Sequence, residues 1–258
     1  MFSSRNITNR QKILVCLCVL PFLAKILLSQ LFFVLTEKRN DDLFSYALCV
    51  VFDFVALILP FAIYGCFSKN IPHDAKNKKL TEIILVFFSA YFIANFLSIL
   101  YTFFLSVCGF SFSSSKGLQF DNAKALVFIA NSVVLAPIAE EFAFRKILLK
   151  NLLPLSRIPA IIISTAFFAC FHDVASFVYS FVFGIALAYV CLEYGFIYSV
   201  LLHAVNNCLT YFYIFLEQSV GEKTYFVFLI VRLSLTALLG MYSVVKLLKK
   251  RCCGGKNS

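Results

Sequence analysis

The sequence predicts an all-α polytopic membrane protein, a bundle of about eight transmembrane helices. Two observations carry this. Of the 258 residues, 61% are hydrophobic and only 14% are charged, against about 45–50% and about 25% in a soluble globular domain. The apolar residues also fall in runs that can cross a bilayer, which takes about 20 helical residues. All of 1–258 reads as a single integral membrane domain. Its only long polar stretches are Ser68 to Leu80, Gly109 to Lys124 and the C-terminal tail.

The first run, Ile13 to Leu35, follows a basic start (Arg5, Arg10, Lys12). It is too long for a cleaved secretory signal and is interrupted by Lys25, so it reads as a retained helix whose lysine snorkels to the interface. Leu43 to Phe67 is the second span, with Asp53 as a hydrogen-bond partner for a neighbouring helix and Pro60 as a kink. Thr81 to Cys108 is the third. Ala123 to Leu153 is the fourth, and Pro154 and Pro159 bracket the turn out of it. Ile158 to Phe171, Ala175 to Leu192 and Phe196 to Phe215 read as three shortened spans around a water-accessible cavity, with a re-entrant arrangement as the alternative. Tyr225 to Leu248 is the last span and carries Arg232.

The net charge is +10. The basic residues flank apolar runs, and no basic patch is interleaved with aromatics, which argues against nucleic acid and for the bilayer as partner. Eight spans put both termini on one side. That side collects fifteen of the 23 basic residues and the other side five, with Lys25, Arg145 and Arg232 inside spans. The bias predicts cytoplasmic termini in the cell membrane, with Arg145 near the cytoplasmic end of its helix. The ten cysteines form no C-x-x-C pairs and read mostly as small packing residues. Cys252 and Cys253, next to Lys249, Lys250 and Arg251, are candidate palmitoylation sites.

The chemistry concentrates between 123 and 216. Pro137 to Arg145 reads Pro-Ile-Ala-Glu-Glu-Phe-Ala-Phe-Arg and closes an apolar run. Ionisable groups at membrane depth are costly and mark function. On a helix Glu141 and Arg145 share a face and pair, while Glu140 points about 100° away and is left to face a cavity. His172 and His203 also lie in apolar runs, each with a partner four residues away: Phe168 before the first, Asn207 after the second. A carboxylate and an imidazole can deprotonate a water, and a second imidazole and an amide can donate to an oxyanion. That is the equipment of peptide hydrolysis. A glutamate with two histidines also matches a zinc ligand set, so Glu140, His172 and His203 are an alternative metal site, although H-E-x-x-H spacing is lacking.

Glu-Glu-x-x-x-Arg (140, 141, 145), Phe-x-x-x-His (168, 172) and His-x-x-x-Asn (203, 207), in that order, resemble the CAAX protease and bacteriocin-processing family of intramembrane glutamate proteases, which includes the type II CAAX prenyl endopeptidases. The resemblance covers roughly Val127 to Tyr211. It implies that Glu140 and His172 activate the water, that His203 and Asn207 form the oxyanion site, and that Glu141 and Arg145 hold the architecture. It also implies a metal-free reaction without cofactor, a cavity open to the cytoplasmic leaflet, and a membrane-associated or lipidated peptide as substrate. A non-catalytic immunity or scaffold protein of the same family is the alternative.

Overall fold

The computed structural model describes residues 19–36, 43–66, 80–110 and 123–254. The basic N-terminal segment, the loop at 68–79 with His73, the serine-rich connection and the last four residues lie outside them, and so does about half of the charge bias used above to orient the chain. Among the described residues there are eight helices and no strand: α1 Val19–Thr36, α2 Leu43–Cys66, α3 Leu80–Val107, α4 Ala123–Leu152, α5 Arg157–Ala169, α6 Phe177–Glu193, α7 Phe196–Ser219 and α8 Glu222–Gly254. Helices satisfy their own backbone, which lipid requires. Large apolar side chains stand exposed along the bundle, Phe103, Phe104, Leu126, Phe226 and Leu238 among them, as a lipid-facing surface demands. The protein is an integral membrane protein.

Among the described residues, five helices are long and apolar enough to cross a membrane: α3, α4, α7 and the segments Ala47–Tyr64 of α2 and Lys223–Lys249 of α8. The expectation of three shortened spans holds for two. Helices α5 and α6 have 13 and 17 residues, but α7 has 24. It does not stop at Phe215 because Glu217, Gln218 and Ser219 continue the helical backbone beyond the apolar stretch. Pro60 lies inside α2 without ending it, and Asp53 lies on an exposed face of that helix. The cysteines pack less than expected: Cys191 is buried, but Cys108, Cys170 and Cys208 are exposed.

The helices fall into two compact units. The first comprises residues 1–74 and 119–167. In it α2 packs on both α1 and α4. The rings of Phe61 and Phe144, both fully buried, meet edge-to-face at 5.3 Å between centroids. Helix α4 is not a regular α-helix. Pro137 has no N–H to offer the carbonyl four residues back, and the preceding turn, Asn131–Leu135, widens so that the Ala136 N–H bonds to the Asn131 carbonyl, five residues back. A second π-helical stretch, Phe142–Leu149, holds the buried Phe144, Arg145, Leu148 and Leu149.

The second unit comprises residues 75–118 and 168–258. Ile83, Phe87, Ala90, Tyr91 and Ala94 recur at helical spacing on α3, and Phe183, Leu187 and Val190 answer them on α6. Phe87 and Phe183 meet edge-to-face at 6.0 Å. The Tyr194 hydroxyl donates to Glu82 Oε2 at 3.0 Å. Burial first, then that bond, pushes the Tyr194 phenol well above its usual pKa, so it remains a donor. The turn between α6 and α7 needs Gly195, whose φ of 111° disfavours a side chain. The Ser199 hydroxyl then bonds the Leu187 carbonyl at 3.1 Å across the two helices.

Gly240 marks a close approach of two helices in this unit. A Cβ built on it would overlap Cβ and Cγ of Phe92, so α8 touches α3 at a point where only glycine fits. Phe92 cannot swing away at its Cβ. Gly240→Ala therefore lowers stability by about 1–3 kcal/mol through forced helix displacement. Gly221→Ala, where nothing stands within 4 Å, should change it little. Thermal melts of the two variants in the same detergent check this.

Candidate functional site

The first unit supplies the carboxylates. Glu141 and Arg145 are both fully buried, and Arg145 Nε lies 3.4 Å from Glu141 Oε2. The helical spacing that pairs them in sequence does so in the fold. Glu140, the neighbouring carboxylate, is half-buried instead. One glutamate is thus committed to an enclosed ion pair, and the other keeps access to its surroundings. On α5 in the same unit, Thr165 is fully buried, and its hydroxyl has no hydrogen-bond partner among the described residues.

The second unit supplies the imidazoles and the amide. Helix α5 ends at Ala169, and His172 follows in the short turn to α6. That turn is organised by Asp173, whose Oδ1 accepts from the Ser176 N–H at 2.9 Å. His172 Nδ1 lies 3.0 Å from the Phe168 carbonyl oxygen. A carbonyl can only accept, so Nδ1 carries the proton, and in the neutral ring Nε2 keeps its lone pair for a base. His203 is buried on α7, with Asn207 one turn further on.

Phe168 joins these two histidines. Its ring, itself buried, sits 4.7 Å from the His172 ring and 5.6 Å from the His203 ring, the latter edge-to-face. Residues 31 apart in sequence are thereby held on one phenyl ring. Phe168 is more than a spacer, because its carbonyl fixes the His172 tautomer and its ring positions both imidazoles.

Asn207 does not stand alone. Its Oδ1 accepts from Asn206 Nδ2 at 3.3 Å, and Asn206 Oδ1 accepts from the Tyr179 hydroxyl. This chain of polar groups orients the Asn207 amide. The sequence reading missed both Asn206 and Tyr179. Asn206 is a second amide inside an apolar run, and that signal was available beside Asn207. Tyr179 carries no such signal, since tyrosine is common in spans. As for a metal, the second unit holds two possible donors, His172 and His203, each against the Phe168 ring, and Glu140 belongs to the first unit.

The buried pair generates a test. Glu141→Gln leaves Arg145 enclosed without its counter-charge, which costs about 3–5 kcal/mol. Replacing both, with Glu141→Gln and Arg145→Gln, should recover part of that loss. Melting temperatures of the two variants and of Glu140→Gln check this, with Glu140→Gln expected to melt nearest to the parent protein.

No curated protein and no solved structure matches the chain. Residues 122–209 do match a family model, and the matched stretch runs from the start of α4 to the middle of α7, so it contains both glutamates, Arg145, Phe168, both histidines and Asn207. The family that this stretch matches is the one described as type II CAAX prenyl endopeptidase Rce1-like.

Proposed function

We propose that the chain is an intramembrane endopeptidase that hydrolyses a peptide bond near the cytoplasmic face of the cell membrane. One observation carries the reading beyond the family match: two imidazoles share the Phe168 ring, and His172 is left with a basic Nε2. Two ordinary structural histidines would not need a common ring and a fixed tautomer.

In this reading Glu140 and His172 take a proton from a water molecule. The water oxygen attacks the carbonyl carbon of the scissile bond. His203 and Asn207 donate to the oxyanion that forms. The tetrahedral intermediate then collapses, the C–N bond breaks, and the proton taken from water passes to the departing nitrogen. The buried Glu141–Arg145 pair fixes the segment of α4 that bears Glu140. No cofactor enters the reaction. The substrate is a membrane-associated peptide, and its lipid anchor is farnesyl or a similar chain.

The experiment is cleavage by purified protein of a quenched fluorogenic farnesylated peptide and its unlipidated twin. His172→Ala should lower the rate by about 10²–10⁴, the usual contribution of a general base. A chelator should leave the rate unchanged, and the farnesylated peptide should be cut faster. Loss of activity with chelator would replace the water-activating roles of Glu140, His172 and His203 with metal ligation. Full activity of His172→Ala would remove the proposal.

A further inference from the structure

Arg232 is not used in that chemistry. It lies in the membrane-length segment of α8 and is half-buried. Its Nη2 donates to Asn95 Oδ1 at 3.3 Å, and its guanidinium lies 4.1 Å from the centroid of the Tyr213 ring. An amide and a phenol ring are both neutral, and a guanidinium carries five N–H donors. A charge at such depth is tolerated where it faces the interior of a bundle or a water-filled cavity.

Arg232 lines a cavity of about 180 Å³ bordered by α3, α6, α7 and α8, all in the second unit. Eight of the nine residues that line it carry a side-chain nitrogen or oxygen, and Ile214 is the exception. Glu217, one of the eight, is exposed. On α7, His203, Asn207, Thr210, Ile214 and Glu217 recur at steps of four, three, four and three residues. One helix face therefore carries the proposed oxyanion donors and, further along, a wall of the cavity. Two hydrogen bonds tie that wall to the site. The Thr210 hydroxyl donates to the Asn206 carbonyl at 3.1 Å, and the hydroxyl of Tyr179, another lining residue, donates to Asn206 Oδ1. Asn206 in turn donates to Asn207.

We propose that this cavity is a water-binding site and that it supplies the water consumed in the hydrolysis. Each turnover takes up one water. Lipid offers none, and a peptide lying over the catalytic groups expels what is there. A store beside the site, on the same face of α7, meets that need. The lining suits water. At about 30 Å³ per molecule the volume holds about six waters, and each needs two to four polar partners. Thr210 to Glu217 covers about 10 Å along α7 at 1.5 Å per residue. That length is about four hydrogen-bonded steps of about 2.8 Å. Ile214 stands between them and is the lining position where a larger side chain fills the space without removing a polar partner. Delivery of the water rests on the protease reading; its binding does not.

The test separates the two. Radiolytic footprinting of the full-length protein in detergent reads bound water directly, because hydroxyl radicals made from it oxidise the side chain beside it. Tyr91 and Tyr64 are matched in burial, each 7% exposed, and of the two Tyr91 lines the cavity. Tyr91 should be oxidised and Tyr64 spared. Ile214→Trp should abolish the labelling of Tyr91 and lower kcat on the farnesylated peptide about tenfold, with KM unchanged. Ile214→Ala, which leaves the space open, should keep both at the parental level. Arg232→Met should also lose the labelling, and it serves if Ile214→Trp does not fold. Labelling of Tyr91 no greater than that of Tyr64 overturns the proposal in favour of an apolar occupant such as an acyl chain. Labelling lost in Ile214→Trp with kcat unchanged, or a fall in kcat as large in Ile214→Ala, overturns the delivery of water to the site. If Tyr91 is labelled and the parent protein cuts neither peptide, the protease reading fails and the water site stands.

Discussion

A charge at membrane depth must be paired, or it must reach water or a ligand, and that constraint sorts the ionisable groups of this protein. Glu141 and Arg145 take the first course, sealed together in α4. Glu140, the next residue on the same helix, is only half-buried. The two histidines are accommodated on one phenylalanine ring. Arg232 has an amide and a phenol ring for company and lines a polar cavity.

The framework depends on close approach as much as on charge. Lipid is as apolar as leucine, so helices associate in it through packing rather than through expulsion of water. Gly240 against Phe92, and the buried rings of Phe61 and Phe144, are two solutions to that problem. The widened turns of α4 are a third feature of this kind. One precedes Pro137, which withholds an N–H, and the other carries Arg145, so the buried ion pair sits where regular helix meets a widened stretch.

Much of this was legible in the sequence, and the reason is period and cost. Helix bounds follow from apolar runs, and α2, α3 and α4 begin and end within a residue or so of those runs. The Glu141–Arg145 pair follows from a spacing of four. What sequence could not carry is contact between helices. Nothing in the spacing of Phe168, His172 and His203 says that one ring serves both imidazoles. Nothing in an apolar run marks Tyr179 as the partner of Asn206, or Gly240 as the point where α8 meets α3. The length of α7 was misjudged because hydropathy falls at Glu217 while the backbone helix continues.

The central claim is that Glu140, and not its buried neighbour, performs the chemistry. The most direct measurement is single-turnover cleavage by Glu140→Gln, on protein whose melting temperature and elution volume match those of the parent. The account predicts a folded protein with no detectable cleavage. A folded Glu140→Gln variant that cleaves at the parental rate would contradict it.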